Sequence, residues 1–264
     1  MSRRVRSLMV FALAAASVAL RAELPLPLQD GEQLTYRVSW AIVPGAGEIK
    51  ISAHHETAGP EPRLVVTTTT ATRGIARWLL PFTANADSVF DLQTGHLVSL
   101  RERNETREKT TEHSVSFNYA TREANYVSIE GEGKSQVIPI PAGDPTDLIM
   151  GLLQTRSWDL KPGQKRDALV LFDHEFYELT IHMARYENVR TPLGTFKTIV
   201  MEPRMDKTPP KGMFKRGAAV RVWISQDDHR LPVKFEVVFN IGTGTATLTS
   251  YQAPPPAQRT ASEK

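Results

Sequence analysis

The amino-acid sequence predicts a mostly β protein with one large curved antiparallel sheet, a half-barrel or open barrel, and one mid-chain helix packed against it. At least six segments alternate apolar and polar residues with a period of two: 34–40, 49–53, 115–119, 177–183, 220–224 and 233–239. Because successive side chains of a strand point to opposite faces of a sheet, each segment has one buried and one wetter face. Turn residues such as Pro44-Gly45 separate the segments. Short turns without a βαβ rhythm favour antiparallel meanders.

A helical pattern occupies the middle of the chain, at 145–156. Asp144 or Thr146 is the expected N-cap, and Asp147 falls in the first turn, near the positive end of the helix dipole. Apolar residues follow at helical spacing: Leu148, Ile149, Leu152 and Leu153. We expect this helix to join two β halves of a single domain that spans 31–251.

The first residues have the pattern of a signal peptide. Arg3, Arg4 and Arg6 precede an apolar run from Leu8 to Leu20, and small residues lie at the end of that run. The run is shorter than the roughly 20 apolar residues that span a bilayer. We therefore expect a cleavable signal peptide at 1–22, cut between Ala19 and Ala22, and a periplasmic protein without a membrane-spanning segment after its removal.

Prolines mark both ends of the predicted domain. Residues 23–30 contain Pro25 and Pro27 and are expected to be a linker. Residues 252–264 contain Pro254, Pro255 and Pro256 followed by polar residues, and they lack apolar periodicity. We expect this tail to be disordered.

Charge and cysteine content exclude several classes of function. The whole chain carries a formal charge of +3, from 32 Lys and Arg against 29 Asp and Glu. Removing residues 1–22 takes away four arginines and leaves 28 basic against 29 acidic residues, a formal charge of −1. A near-neutral protein gives no electrostatic reason to expect nucleic acid as a partner. With no cysteine, the chain has no disulfide, thiolate metal site or cysteine nucleophile.

Three segments together resemble the family of exported bacterial proteins called domain of unknown function (DUF) 3108. They are the run 31–40 followed by Gly45-Ala46-Gly47, the run 138–147, and the run 191–196 followed by 212–234. The similarity extends over roughly Gly31 to Tyr251, with Gln226 standing where a second acidic residue is expected beside Asp227. The resemblance implies an exported β-rich fold with a highly curved antiparallel sheet, and it brings no established reaction and no catalytic residues.

No catalytic or metal-binding pattern is recognisable. His54 and His55 are adjacent, so they point to opposite faces of a strand and cannot both bind one ion. The chain lacks HExxH, CxxC and G-x-S-x-G motifs. The cluster Asp227-Asp228-His229 lies between two strand patterns, where a turn is favoured over a metal or catalytic site. We expect no metal and no cofactor.

Two segments are candidates for ligand binding. Arg73 to Phe82 concentrates apolar residues near two arginines, with a short helical or irregular piece expected at Ile75 to Phe82. This segment is either a plug that closes one end of the sheet or a lip for a lipid, acyl chain or glycan. The loop 204–216 places basic residues around apolar ones, as a solvated hairpin loop or a site for anionic groups. Eight residues are predicted to contact a ligand: Trp40, Arg77, Trp78, Phe82, Phe214, Lys215, Arg216 and Trp223.

The function predicted from the sequence is non-catalytic binding of an envelope lipid-like or glycan ligand. One alternative is a hydrolase or lyase that acts on an envelope polysaccharide. The other is a structural or assembly factor of the envelope. The sequence predicts no oligomeric state.

Overall fold

A computed structural model describes residues 26–57, 59, 61–129, 134–215, 219–239 and 242–256. The predicted signal peptide at 1–22, residues 23–25 of the predicted linker and residues 257–264 of the predicted tail lie outside these ranges.

Fifteen strands among the described residues form one sheet, in the order β8-β7-β6-β5-β4-β3-β2-β1-β15-β14-β13-β12-β11-β10-β9. The first and last strands of the chain therefore pair with each other in the middle of the sheet, and a wing of consecutive strands extends to either side. Every ladder is antiparallel except the one between β9 and β10, which is parallel. The predicted mostly β fold with a large antiparallel sheet is confirmed.

The first wing contains the strands up to β8 and a short helix between β3 and β4. Its elements are β1 Gln33–Trp40, β2 Val43–Glu56, β3 Arg63–Thr72, α1 Gly74–Leu79, β4 Phe82–Asp91, β5 Leu97–Thr106, β6 Thr110–Asn118, β7 Glu123–Ser128 and β8 Ser135–Pro139. The second wing contains β9 Pro145–Asp147, α2 Leu148–Gln154, β10 Lys165–Phe172, β11 Glu175–Thr191, β12 Gly194–Arg204, β13 Ala219–Ser225, β14 Pro232–Phe239 and β15 Gly242–Gln252.

The two wings face each other across a shared interior. Leu100, Val115 and Ala124 of the first wing pack in one buried cluster with Leu169 and Leu171 of β10. Ten positions in the sheet order separate β5 from β10, which on a flat sheet would be about 48 Å. The sheet must therefore bend strongly to bring these side chains into contact. Over the part of the chain that the structure describes, the sheet stays open, because its edge strands β8 and β9 do not pair with each other.

The mid-chain helix is present but starts later than the sequence predicts. Residues Pro145–Asp147 form β9, which pairs with Leu169–Leu171 of β10, so their backbone is extended and α2 begins at Leu148. The N-cap is Asp147, whose Oδ1 accepts the Met150 N–H at 2.9 Å. The prediction of Asp144 or Thr146 as N-cap is wrong. Met150 and Leu153 pack α2 into the core of the sheet.

A mostly buried arginine, 13% exposed, connects the segment after α2 to two distant parts of the chain. Arg156 Nη2 lies 2.8 Å from Oε1 of Glu32, whose side chain is 2% exposed. Its guanidinium also donates to the carbonyl oxygens of Pro27, His229 and Arg230 at 3.0, 3.0 and 3.1 Å. One side chain thus holds the lead into β1, the β13–β14 turn and the helical connection together.

We predict that Arg156→Met lowers the free energy of unfolding by about 3–5 kcal/mol, because it leaves the Glu32 carboxylate buried without a counter-ion. Urea denaturation measures the change. The matched control is Arg185→Met, which removes an arginine that is 52% exposed and paired with Glu187, and which should cost less than about 1 kcal/mol. Equal, small losses for both variants would contradict the role of Arg156.

Candidate functional site

One end of the first wing exposes an unusual number of large apolar side chains. They belong to the β1–β2 turn and to the α1 segment, and their exposed fractions are 95% for Ile42, 39% for Val43, 74% for Ile75, 77% for Trp78, 54% for Leu79 and 74% for Leu80. We call these six residues the apolar end. The antiparallel order brings the two segments to the same end of the sheet, where Arg73 N–H donates to Ala46 O at 2.8 Å.

The α1 segment stands on the sheet rather than in its core. Gly74 begins it with a φ of +53°, a conformation that glycine adopts without strain, and none of its six residues is buried. Two arginines attach it to neighbouring strands: Arg73 Nη2 donates to Glu48 Oε1, and Arg107 Nη2 donates to the Trp78 carbonyl, each at 2.8 Å. The interpretation of Arg73 to Phe82 as a plug is wrong, since its apolar side chains face solvent.

Basic side chains outnumber acidic ones around the apolar end. Arg77 lies within α1, and Arg107 and Lys109 lie in the β5–β6 turn beside it. Within the described part of the chain none of these three cations forms an ion pair with an acidic side chain, whereas Glu48 is shared by Arg73 and Lys50. The apolar end is therefore flanked by three cations without an ion-pair partner among the described residues, and by one carboxylate, Glu108, in the β5–β6 turn.

Four of the predicted ligand-binding residues come together at this end of the sheet. Arg77 and Trp78 are exposed on α1, and Phe82 is half-buried at the start of β4. Trp40 ends β1, and its ring lies against β15 so closely that a Cβ on Gly244 would be 3.2 Å from it.

The other predicted residues lie elsewhere. Phe214 packs against Tyr177 with ring centroids 5.9 Å apart, in the second wing, and Lys215 is exposed beside it. Trp223 belongs to the core with 2% exposure, and Lys234 Nζ lies 4.1 Å from the centre of its ring. Arg216 falls outside the described residues.

Two lysines of the basic loop after β12 form ion pairs with the sheet beneath it. Lys207 Nζ lies 2.8 Å from Asp167 Oδ2, and Lys211 Nζ lies 3.0 Å from Glu175 Oε2. Met205 is buried in the second-wing core. This geometry fits a loop folded onto its own sheet better than an anion site.

A cleft on the inner face of the first wing was missed by sequence reasoning. It consists of two adjoining cavities of about 190 and 380 Å³ that share Glu102, Phe172 and Asp173. The smaller cavity has mostly small and apolar walls, and the larger one is lined by polar side chains that include Asn104, Glu112 and His113, together with Tyr126. We call this the inner cleft. Its residues come from strands that are far apart in the sequence, so no local sequence motif predicts the cleft.

Asp147 places a buried carboxyl group, 9% exposed, in the wall of the smaller cavity. Its Oδ2 accepts the Ser88 hydroxyl at 2.6 Å and its Oδ1 caps α2. Burial raises the pKa of Asp147, and the negative charge of Glu102 acts in the same direction, although the hydrogen bonds from Ser88 and α2 oppose the shift. Within the described residues, no group of three or more His, Asp or Glu is arranged to hold a metal ion.

No helix among the described residues is long and apolar enough to cross a membrane.

The raised pKa of Asp147 predicts how the stability of the protein changes with pH. A carboxyl group whose pKa is higher in the folded state favours folding while it is protonated, and this contribution is lost as the pH rises above its unfolded pKa of about 4. We predict that Asp147→Asn, which keeps an N-cap, gains stability relative to wild type as the pH rises from there. Asp167→Asn is the control with the opposite slope, because the Lys207 hydrogen bond lowers the pKa of Asp167. Parallel pH profiles of wild type and Asp147→Asn in urea denaturation would contradict this assignment.

One comparison with a solved structure agrees with the architecture, and two further solved structures show weaker similarity. A β-barrel-like protein of domain of unknown function DUF1849 from Brucella abortus superposes with a TM-score of 0.54 at 6% identity, over 84% of this chain and 96% of that one. A protein from Bacteroides fragilis with a YmcC-like fold, provisionally described as exported, gives 0.36 at 13% identity, over 86% and 98%. A protein from Parabacteroides distasonis, provisionally described as a lipoprotein, gives 0.32 at 10% identity, over 86% and 97%. At these identities the first likeness concerns the fold alone.

No curated protein matches the sequence. A family model does match it, from residue 35 to residue 249, and its description is a protein of unknown function, DUF3108. The match covers most of the chain. It contains β2 to β14 completely, β1 from Thr35 onward and β15 up to Thr249. The protein therefore belongs to the DUF3108 family.

Proposed function

We propose that this protein binds a lipid surface of the cell envelope through its apolar end, without catalysing a reaction. The observation that carries the proposal is the exposure of Trp78 together with Ile42, Ile75 and Leu80, each more than 70% accessible. Soluble proteins rarely expose contiguous large apolar groups unless a membrane, ligand or partner covers them.

The chemistry of the apolar end favours lipid as the covering group. Transferring an exposed Leu or Ile side chain out of water contributes about 1.5–3 kcal/mol, and a Trp ring suits the boundary between head groups and acyl chains. Arg77, Arg107 and Lys109 can extend their charged groups toward anionic head groups while the apolar residues insert. Charge and apolarity thus favour the same kind of surface.

The position of these side chains favours a lipid surface over a single enclosed lipid. They stand on the outside of the sheet end, whereas the two cavities of the inner cleft are lined by other residues. The signal-like pattern at 1–22 supports delivery to the periplasm, where both envelope membranes are within reach. We thus propose both that the protein is periplasmic and that its ligand is lipid.

The first test is co-sedimentation with lipid vesicles. The chain beginning at Glu23 keeps every described residue and removes the apolar run Leu8–Leu20, which would itself bind lipid. We predict binding to vesicles that contain anionic phospholipid, and a loss of about tenfold or more for the double variant Trp78→Ser and Leu80→Ser, since each lost side chain removes more than about 1 kcal/mol of transfer energy.

The matched control is Leu193→Ser, which replaces a leucine of 44% exposure in the β11–β12 turn. This variant should bind vesicles as wild type does. If the chain does not bind vesicles, or if the double variant binds as well as the control, the proposal fails.

The second test addresses charge. Arg77→Gln should weaken binding to anionic vesicles about fivefold, since a basic residue near such a surface contributes about 1 kcal/mol, and should leave binding to zwitterionic vesicles unchanged. Lys165→Gln removes an exposed cation at the start of β10 and serves as the control. If both substitutions weaken vesicle binding equally, the net charge of the protein accounts for the effect, and Arg77 has no special role at the apolar end.

A further inference from the structure

We propose that the inner cleft is a second binding site, for a primary ammonium group that carries a short apolar chain. The ammonium would lie between Glu102 and His113, and the chain would enter the smaller cavity. The site is separate from the apolar end, and the argument for it is independent of lipid-surface binding.

His113 is the first observation. Its side chain is 9% exposed and lines the larger cavity, and no described residue forms a hydrogen bond with its buried Nε2. The ring is held in place by stacking on Tyr126, with centroids 5.1 Å apart. Buried side-chain nitrogen atoms are nearly always hydrogen-bonded, so an unpartnered one in a cavity wall indicates a place for a ligand.

The geometry around His113 selects a group with several donors. Nε2 lies 4.0 Å from Glu102 Oε2, and both residues line the same cavity. With the ring proton on Nδ1, both atoms are acceptors. One nitrogen at hydrogen-bonding distance from each of them would have to donate twice, which an ammonium group does and a single hydroxyl does not.

The charges of the cleft select a cation. Glu102 accepts the Asn104 amide at 2.7 Å, and Asp173 contacts His174 Nδ1 at 2.8 Å. Within the described residues neither carboxylate has a Lys or Arg partner, while Glu112 in the same cavity pairs with Arg101 and Arg103. The cleft therefore keeps negative charge that no fixed cation balances, and this charge favours a positive ligand.

The smaller cavity supplies the apolar part of the site. It shares Glu102 and Phe172 with the larger cavity, and its walls include Ala84, Ala86, Leu100 and Ile149. An alkyl chain attached to the ammonium would leave water there while the charged group stays between the two acceptors. A free amine and the head group of an amino-phospholipid share this ammonium chemistry.

The test titrates the chain from Glu23 with hexylammonium, hexanol and hexanoate at about pH 8, where an ordinary imidazole is neutral. Calorimetry gives affinities, and nitrogen-15 NMR follows the His113 ring. We expect hexylammonium to bind and to shift the His113 Nε2 signal, with hexanol at least about tenfold weaker because it lacks the charge-assisted hydrogen bonds. Hexanoate should not bind.

Glu102→Gln should weaken hexylammonium at least about tenfold. The matched control is Glu105→Gln on the same strand, whose carboxylate pairs with Arg103 on the other face and whose loss should leave the affinity unchanged. The double variant Trp78→Ser and Leu80→Ser should also bind hexylammonium normally, which separates this site from the apolar end.

The proposal is overturned if hexanoate or hexanol binds as tightly as hexylammonium, or if folded Glu102→Gln keeps the wild-type affinity. If Glu102→Gln does not fold, the nitrogen-15 signal of His113 in the wild-type protein is the deciding measurement. A signal that does not shift with hexylammonium then overturns the proposed site.

Competition between hexylammonium and vesicles of phosphatidylethanolamine would identify a lipid head group as the natural source of the ammonium. Unaffected hexylammonium binding in the presence of these vesicles would identify a free amine.

Discussion

The ladder between β1 and β15 is the interaction on which the rest of this fold depends. It pairs residues from the two ends of the domain, with Leu34 opposite Tyr251 and Trp40 opposite Gly244. Each wing is a meander of neighbouring strands that the local sequence can assemble, but only this ladder turns two meanders into one sheet. Tyr36 strengthens the junction from the middle of β1, where its fully buried hydroxyl donates to the Pro232 carbonyl at 2.9 Å. Arg156 and Glu32 add a second, electrostatic connection beside it.

The bend of the sheet creates an interior that is aliphatic in one region and small or polar in another. Deep between the wings the facing side chains are aliphatic, as in the cluster around Leu100 and Leu171. Toward the β10–β11 turn they become small or polar, and the inner cleft opens between Glu102 and Asp173. The apolar end shows the reverse arrangement, with apolar side chains on the outside and no buried residue in α1. The two proposed sites therefore differ in chemistry as well as in position.

The sequence predicts the local part of this structure well because strands and turns have short-range signals. Alternation in β1 places Leu34 and Tyr36 inside, and Asp227 forms the predicted turn by accepting the Ser225 hydroxyl at 2.8 Å and the Arg230 N–H at 3.1 Å. The strand at Pro145–Asp147 was not predictable, because its extended backbone depends on β10, which follows some twenty residues later. The exposure of Trp78 also depends on contacts between distant segments, as does the presence of Glu102 and Asp173 in the same cavities. For that reason the sequence does not predict the inner cleft.

The central position of β1 also determines when folding can finish. Its second neighbour is the final strand, so the middle of the sheet lacks a ladder until residues 242–252 are available. A chain that has not yet been completed carries two meanders, each with an unpaired edge, and contacts between such distant residues form slowly. This topology keeps a growing chain from closing early, and it places the decisive step of folding after the last strand has been made.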